Sequence, residues 1–164
     1  AWHRSVYPDF KKRYIDTGKV RYVFREFLTG NPQLAEVGFK IALCADQDDY
    51  FKNIGLQFER LPQISQMAQA GNARAAYVNL AKASGLSEEE FPSCIVHEEH
   101  RDTINSKMQQ GFDEGVGGTP AFFVNGVSAR LSTVEMMDEA LGEALAAAGA
   151  EPAPQAEPTE ETAE

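Results

Sequence analysis

Residues 117–126 read Gly-Gly-Thr-Pro-Ala-Phe-Phe-Val-Asn-Gly, and the rest of the chain can be ordered around them. A short apolar run bounded by turn residues predicts a buried strand. Pro120 stands at its first position, one of the few places where a sheet tolerates a residue without an N–H. The Asn125-Gly126 pair is typical of a two-residue hairpin turn, so residues 127–131 are predicted to form the partner strand.

The bond between Thr119 and Pro120 has two interpretations. X-Pro bonds are the only peptide bonds with an appreciable cis population, and a cis bond here would leave the backbone of Thr119 exposed to pair with an extended peptide. The alternative is an ordinary trans proline that opens a strand. About one X-Pro bond in twenty is cis in folded proteins, so this motif alone favours trans.

Composition limits the class of protein. The chain has 164 residues with 43% hydrophobic content, enough for one globular domain with a sizeable core. No apolar run is long enough to cross a membrane. The net charge is −10, and half of it comes from five glutamates in residues 150–164, a segment expected to be disordered. Nucleic-acid binding is not expected, because it requires a basic face.

Hydrophobic spacing and caps predict the remaining elements. Residues 1–17 are predicted to be a helix that Pro8 kinks and Gly18 ends, followed by a strand over residues 19–27. A helical block follows over residues 33–115. Within it Pro62 is expected to end one helix, Gly71-Asn72 to separate two others, and Ser87 with Glu90 to form a capping box. Ser132 is expected to cap a last helix over residues 133–148, with Glu135 in a second capping box and Gly149 as its stop.

The predicted strands do not form a stable sheet by themselves, because two antiparallel strands are marginal in water. The strand over residues 19–27 needs a parallel neighbour. Helix 1–17 is placed to be the crossover from such a strand, which would precede Ala1.

Three groups of residues carry a resemblance to a known family: residues 14–27, the pieces at 42–45 and 50–51, and residues 118–126 with their Thr-Pro-x-Phe-Phe-x-Asn-Gly pattern. Together they resemble DsbA-like thioredoxin-fold disulfide oxidoreductases. The resemblance implies an α/β thioredoxin-like fold, truncated at its N-terminus. Residues 1–149 would form the domain, with 1–32 and 116–149 as its thioredoxin part, 33–115 as a helical insertion, and 150–164 as an acidic tail.

The resemblance also implies site residues. Pro120 would be the cis-proline beside the active site and Thr119 its substrate-contacting neighbour. His3 would lie near the rim of the site, the alternative being an ordinary surface residue of the helix. The family's C-x-x-C pair would lie just before Ala1, because no C-x-x-C occurs in the chain. A thiolate at a helix N-terminus is stabilised by the helix dipole, and without such sulfurs the 164 residues are expected to be inactive in dithiol exchange.

The two cysteines, Cys44 and Cys94, are interpreted separately from the redox pair. Some members of the family are expected to carry a second, structural disulfide in the helical block, and the resemblance implies this bridge here. The alternative is two buried free thiols that act as small core residues. His97 and His100 are close enough on a helix to share a metal, but no third ligand is indicated, so no metal site is predicted.

Two functions of different classes follow. The first is a thiol:disulfide oxidoreductase acting on unfolded or extended polypeptides in the periplasm or another extracytoplasmic compartment, monomeric, without a cofactor, and recycled by a membrane or soluble redox partner. The second is a redox-inactive thioredoxin-fold module that binds peptides as a chaperone or adaptor. A glutathione-handling relative of the same fold, such as a kappa-type transferase, is the third and weaker alternative. It would bind glutathione without needing a cysteine pair.

Overall fold

The computed structural model describes residues 2–150. In chain order the elements are α1 (Trp2–Ser5), α2 (Tyr7–Phe10), a π-helical turn (Lys11–Ile15), α3 (Pro32–Cys44), a 3-10 turn (Gln47–Asp49), α4 (Tyr50–Gln69), α5 (Ala73–Ala83), α6 (Glu90–Val96), α7 (Glu98–Asp113), β1 (Phe122–Val124), β2 (Val127–Ala129) and α8 (Val134–Ala147). None of the described helices is both long and apolar enough to cross a bilayer. The tail predicted at residues 150–164 lies, apart from Ala150, outside the described residues.

The chain divides into two compact units. The first unit comprises the residues up to Phe24 and those from Pro120, and the helical unit comprises Arg25–Thr119. The helical insertion predicted for residues 33–115 lies inside the helical unit.

The first unit packs α1, α2 and the π-helical turn with the hairpin and α8. Trp2 Nε1 donates to the carbonyl oxygen of Leu131 at 2.5 Å, and both Arg13 and the Tyr14 hydroxyl donate to the carboxylate of Asp138 on α8. Its core is formed by the following buried side chains: Val6, Phe10, Tyr14, Leu131, Met137, Leu141 and Leu145. The single helix predicted over residues 1–17 is divided into α1, α2 and the π-helical turn, and Pro8 lies in the first turn of α2, where the helix needs no N–H.

The predicted hairpin is confirmed in a shorter form. Strands β1 and β2 pair antiparallel with Val124 opposite Val127, and the turn residues Asn125 and Gly126 have φ angles of 51° and 83°. Positive φ at both turn positions is what a type I′ hairpin requires, and it explains the Asn-Gly pair. β2 ends at Ala129, so Leu131 is free to enter the core rather than extend the strand.

The helical unit is held by an apolar core and a disulfide. Its buried cluster consists of Ile41, Ile64, Ala76, Tyr77, Val78, Leu80, Ala81 and Phe91. Cys44 at the end of α3 is bonded to Cys94 in α6, with 5.9 Å between the two Cα atoms. The bridge that the resemblance implied is therefore present, and neither cysteine is a free thiol.

Three expectations about elements were wrong. Residues 19–27 belong to no helix or strand, because a strand needs a hydrogen-bonded neighbour and the sheet of the described residues contains only β1 and β2. Pro62 does not end a helix but lies inside α4, which continues because Ile64, beyond the proline, is buried in the core. The cap of α8 is Thr133, whose hydroxyl accepts from the backbone N–H of Met136, and not Ser132.

Candidate functional site

The loop before β1 contains Thr119 and Pro120, the residues predicted from the family resemblance to contact a peptide. Residues 117–121 are exposed and belong to no helix or strand. The loop starts at the C-terminal end of α7. There Gly115 has a φ of 81°, and the N–H of Val116 donates a hydrogen bond to the carbonyl oxygen of Gly111. Thr119 is the last residue of the helical unit. At Pro120 the chain returns to the first unit. The cis state of the bond between them stays a prediction.

The structure brings Thr29 next to Thr119. The two hydroxyl oxygens lie 3.1 Å apart, within hydrogen-bond distance, and both side chains are exposed. No spacing or motif in the sequence connects positions 29 and 119. A contact between residues ninety positions apart becomes visible only in the folded chain.

Thr29 ends a segment, residues 25–29, that lies along α7. The ring of Phe27 makes an edge-on contact with Phe112, and the N–H of Leu28 points at the sulfur of Met108 at 3.2 Å. Gly111 makes this close approach possible, since a Cβ at that position would lie 2.9 Å from the Phe27 ring. The 25–29 segment is thus fixed to the helix that leads into the loop with Thr119.

Glu26 is the only fully buried acidic side chain in the described residues, with 0% of it exposed. Its Oε1 accepts from the hydroxyl of Tyr50 at 2.5 Å, and its Oε2 lies 2.6 Å from Nζ of Lys107 on α7. The Oε2 contact is an ion pair, and Oε2 accepts no directed hydrogen bond. A buried charge of this kind is tolerated only when it is paired. Nothing in the sequence marks Glu26 as functional, since a glutamate in a predicted strand carries no motif.

His3 lies in a different setting, among the aromatic side chains of the first unit. Its ring stacks on Tyr7 with 4.8 Å between centroids. Burial raises the pKa of Tyr7, and burial together with the neighbouring Tyr7 raises the pKa of Tyr22 to about 12. Neither phenol therefore offers a proton near neutral pH. The rim role of His3 stays a prediction.

The remaining titratable pair, His97 and His100, stacks with 4.3 Å between ring centroids. Burial, followed by the charge of His97, lowers the pKa of His100. Within residues 2–150 no group of three or more histidine, cysteine, aspartate or glutamate side chains is arranged to hold a metal ion.

The sequence matches a known protein family. The model of the family described as "Thioredoxin" matches residues 1–143. The chain belongs to this thioredoxin family. Its fold class is accordingly the predicted α/β thioredoxin-like fold, rich in helix and with a small antiparallel sheet. No solved structure gives a significant match.

The similar proteins in the family have names that refer to disulfide chemistry. The chain is 29% identical over 148 residues to a Rickettsia typhi protein named "putative protein-disulfide oxidoreductase". Proteins of the same name from Rickettsia prowazekii and Rickettsia felis are each 28% identical over 148 residues. In each case 88% of this chain is covered but only 51–52% of the relative. The chain therefore spans about half the length of these relatives.

Proposed function

We propose that these 164 residues are the substrate-binding part of a DsbA-like thiol:disulfide oxidoreductase that acts on proteins in an extracytoplasmic compartment. The observation that carries the proposal is the thioredoxin-family match over residues 1–143, together with the names of the relatives. Thioredoxin-type exchange needs a reactive cysteine pair. Cys44 and Cys94 are bonded to each other, so the proposal requires a further pair, which the family resemblance implies just before Ala1.

The chemistry of such a pair is a balanced exchange of sulfur bonds. A substrate thiolate attacks the disulfide of the enzyme; its S–S bond breaks, a mixed disulfide forms, and one enzyme thiolate leaves. A second substrate thiolate then attacks the mixed disulfide, which yields the oxidised substrate and the enzyme dithiol. A membrane or soluble redox partner of disulfide or quinone chemistry takes up the two electrons and restores the enzyme disulfide.

The part of the site within this chain is the exposed loop at Thr119 and Pro120. A cis Pro120 would leave the backbone of Thr119 open to an extended polypeptide, which would pair with it as an added strand. The Cys44–Cys94 disulfide supports the extracytoplasmic location, because structural disulfides persist in oxidising compartments. Because pairing as an added strand needs an extended backbone, the proposed partners are unfolded or extended polypeptides.

The test is the intact mass of the protein from its native source, measured with and without reduction and alkylation. We expect a mass larger than that of this chain and four alkylatable cysteines, two of which react only after Cys44–Cys94 is reduced. Oxidative refolding of reduced ribonuclease A by the same protein is the activity readout. Two cysteines and no refolding activity would refute the proposal and favour the redox-inactive peptide-binding module, which an isothermal titration with an extended peptide would then examine.

A further inference from the structure

We propose that Glu26 is a positioning residue for Thr119, acting through the 25–29 segment and the hydroxyl of Thr29. This inference rests on the proposed function, since it concerns how the peptide-contacting residue is held. Neither the sequence pattern nor the family resemblance identified Glu26 or Thr29.

Side-chain contacts fix the position of the 25–29 segment. Residues 25–29 form no helix and belong to no sheet, so their position along α7 depends on side-chain contacts. Glu26 reaches two elements at once: Tyr50 at the start of α4 through one oxygen and Lys107 on α7 through the other. Removing the carboxylate charge would leave the ammonium of Lys107, only 28% exposed, without its partner. An uncompensated charge in such a place strongly favours rearrangement of the segment.

The hydroxyl of Thr29 connects the 25–29 segment to the loop that carries Thr119. Thr29 comes three residues after Glu26, and its hydroxyl lies 3.1 Å from that of Thr119. Threonine hydroxyls otherwise tend to bond to their own or neighbouring backbone groups. A Thr119 hydroxyl engaged by Thr29 is kept from doing so, and the backbone of Thr119 stays available to an extended peptide.

A neighbouring ion pair supplies a matched control. Arg25 lies on the 25–29 segment and Glu114 directly follows α7, with 2.9 Å between Nη1 and Oε1, but 49% and 44% of their side chains are exposed. Exposed pairs of this kind contribute little to stability. Loss of the Arg25–Glu114 pair should therefore leave the position of Thr119 unchanged, whereas loss of the Glu26 charge should disturb it.

The experiment uses the full-length protein that contains the cysteine pair, with two probes: reduced ribonuclease A as an unfolded polypeptide and dithiothreitol as a small dithiol. The variants are Glu26→Gln, Thr29→Val, Thr29→Ser and the control Arg25→Gln/Glu114→Gln. For Glu26→Gln and Thr29→Val we expect KM for reduced ribonuclease A to rise roughly threefold to tenfold, the range for one lost hydrogen bond. The rate with dithiothreitol should not change, because the sulfur chemistry itself is untouched.

Rescue separates positioning from general destabilisation. Thr29→Ser keeps the hydroxyl and should restore the wild-type KM, and the Arg25→Gln/Glu114→Gln control should also match wild type. An unchanged KM in Thr29→Val would overturn the inference even if Glu26→Gln failed to fold, since Thr29 is exposed. Equal losses with both probes would also contradict it. A wild-type protein inactive toward both probes would instead refute the proposed function, and this inference with it.

Discussion

At the scale of single residues, the N-cap of α8 is Thr133 and not the neighbouring Ser132. Thr133 has extended backbone angles, φ −126° and ψ 167°, and its hydroxyl accepts from the N–H of Met136 at 3.3 Å. We expect Thr133→Ala to lower the free energy of unfolding by about 1 kcal/mol, the usual effect of losing an N-cap. Urea unfolding measures it. The control is Ser132→Ala, expected to change stability by less than about 0.5 kcal/mol; a larger effect there would mean that the cap has been misassigned.

His100 gives the protein a predictable response to acid. The groups around it are the stacked ring of His97, the ammonium of Lys40 and the carboxylate of Glu99. Burial and then the charge of His97 lower the pKa of His100 below 6.5, the ordinary value for a histidine. Between the folded and unfolded pKa values the unfolded chain therefore binds more protons. The stabilisation is complete above pH 6.5 and is lost as the pH falls through the folded pKa. In His100→Gln, the fall in unfolding free energy between pH 7.5 and 5 should be smaller than in wild type. Parallel pH curves for the two proteins would refute this.

At the scale of elements, two helical glycines are expected to respond to the same substitution in opposite ways. A Cβ at Gly111 in α7 would lie 2.9 Å from the ring of Phe27, which is itself packed on Phe112, whereas a Cβ at Gly142 in α8 would meet nothing within 4 Å. Gly111→Ala should therefore destabilise by about 1–3 kcal/mol through overpacking. Gly142→Ala should stabilise by about 0.4–1 kcal/mol through helix propensity and a less flexible unfolded chain. Thermal unfolding of both variants measures the difference, and equal shifts would contradict the packing of the 25–29 segment on α7.

Elements were predictable from sequence where the signal is local. Ser87 and Glu90 form the predicted capping box, each side chain bonded to the other residue's N–H, and Asn125-Gly126 forms the predicted turn. The prediction for Pro62 was wrong because burial of Ile64 outweighs one lost helical hydrogen bond. Glu26 and Thr29 could not be found in this way, since their partners Lys107 and Thr119 are eighty-one and ninety positions away and follow no motif.

At the scale of the whole molecule, the two kinds of cysteine chemistry are expected to be separate. Cys94 is buried and bonded to Cys44, a bridge that joins the end of α3 to α6, inside the helical unit. Thr119 and the 25–29 segment belong to the same unit. The segment packs on α7, the helix that leads into the loop with Thr119. The bridge is thus placed to stabilise the scaffold that carries the loop proposed to bind peptides, while the proposed exchange requires a different pair of sulfurs.

Replacing both bridge cysteines tests that separation. The sequence separation of 50 residues predicts that Cys44→Ser/Cys94→Ser lowers the unfolding free energy by about 4 kcal/mol on the chain-entropy model. Urea unfolding of the variant and of the oxidised wild type measures the loss. If the proposed function holds, the protein that carries the redox pair should keep its wild-type rate of oxidative refolding of reduced ribonuclease A per folded molecule, because neither Cys44 nor Cys94 would take part in the exchange. A folded variant that has lost this activity would show that Cys44 and Cys94 do take part, and would move the redox site into the helical unit.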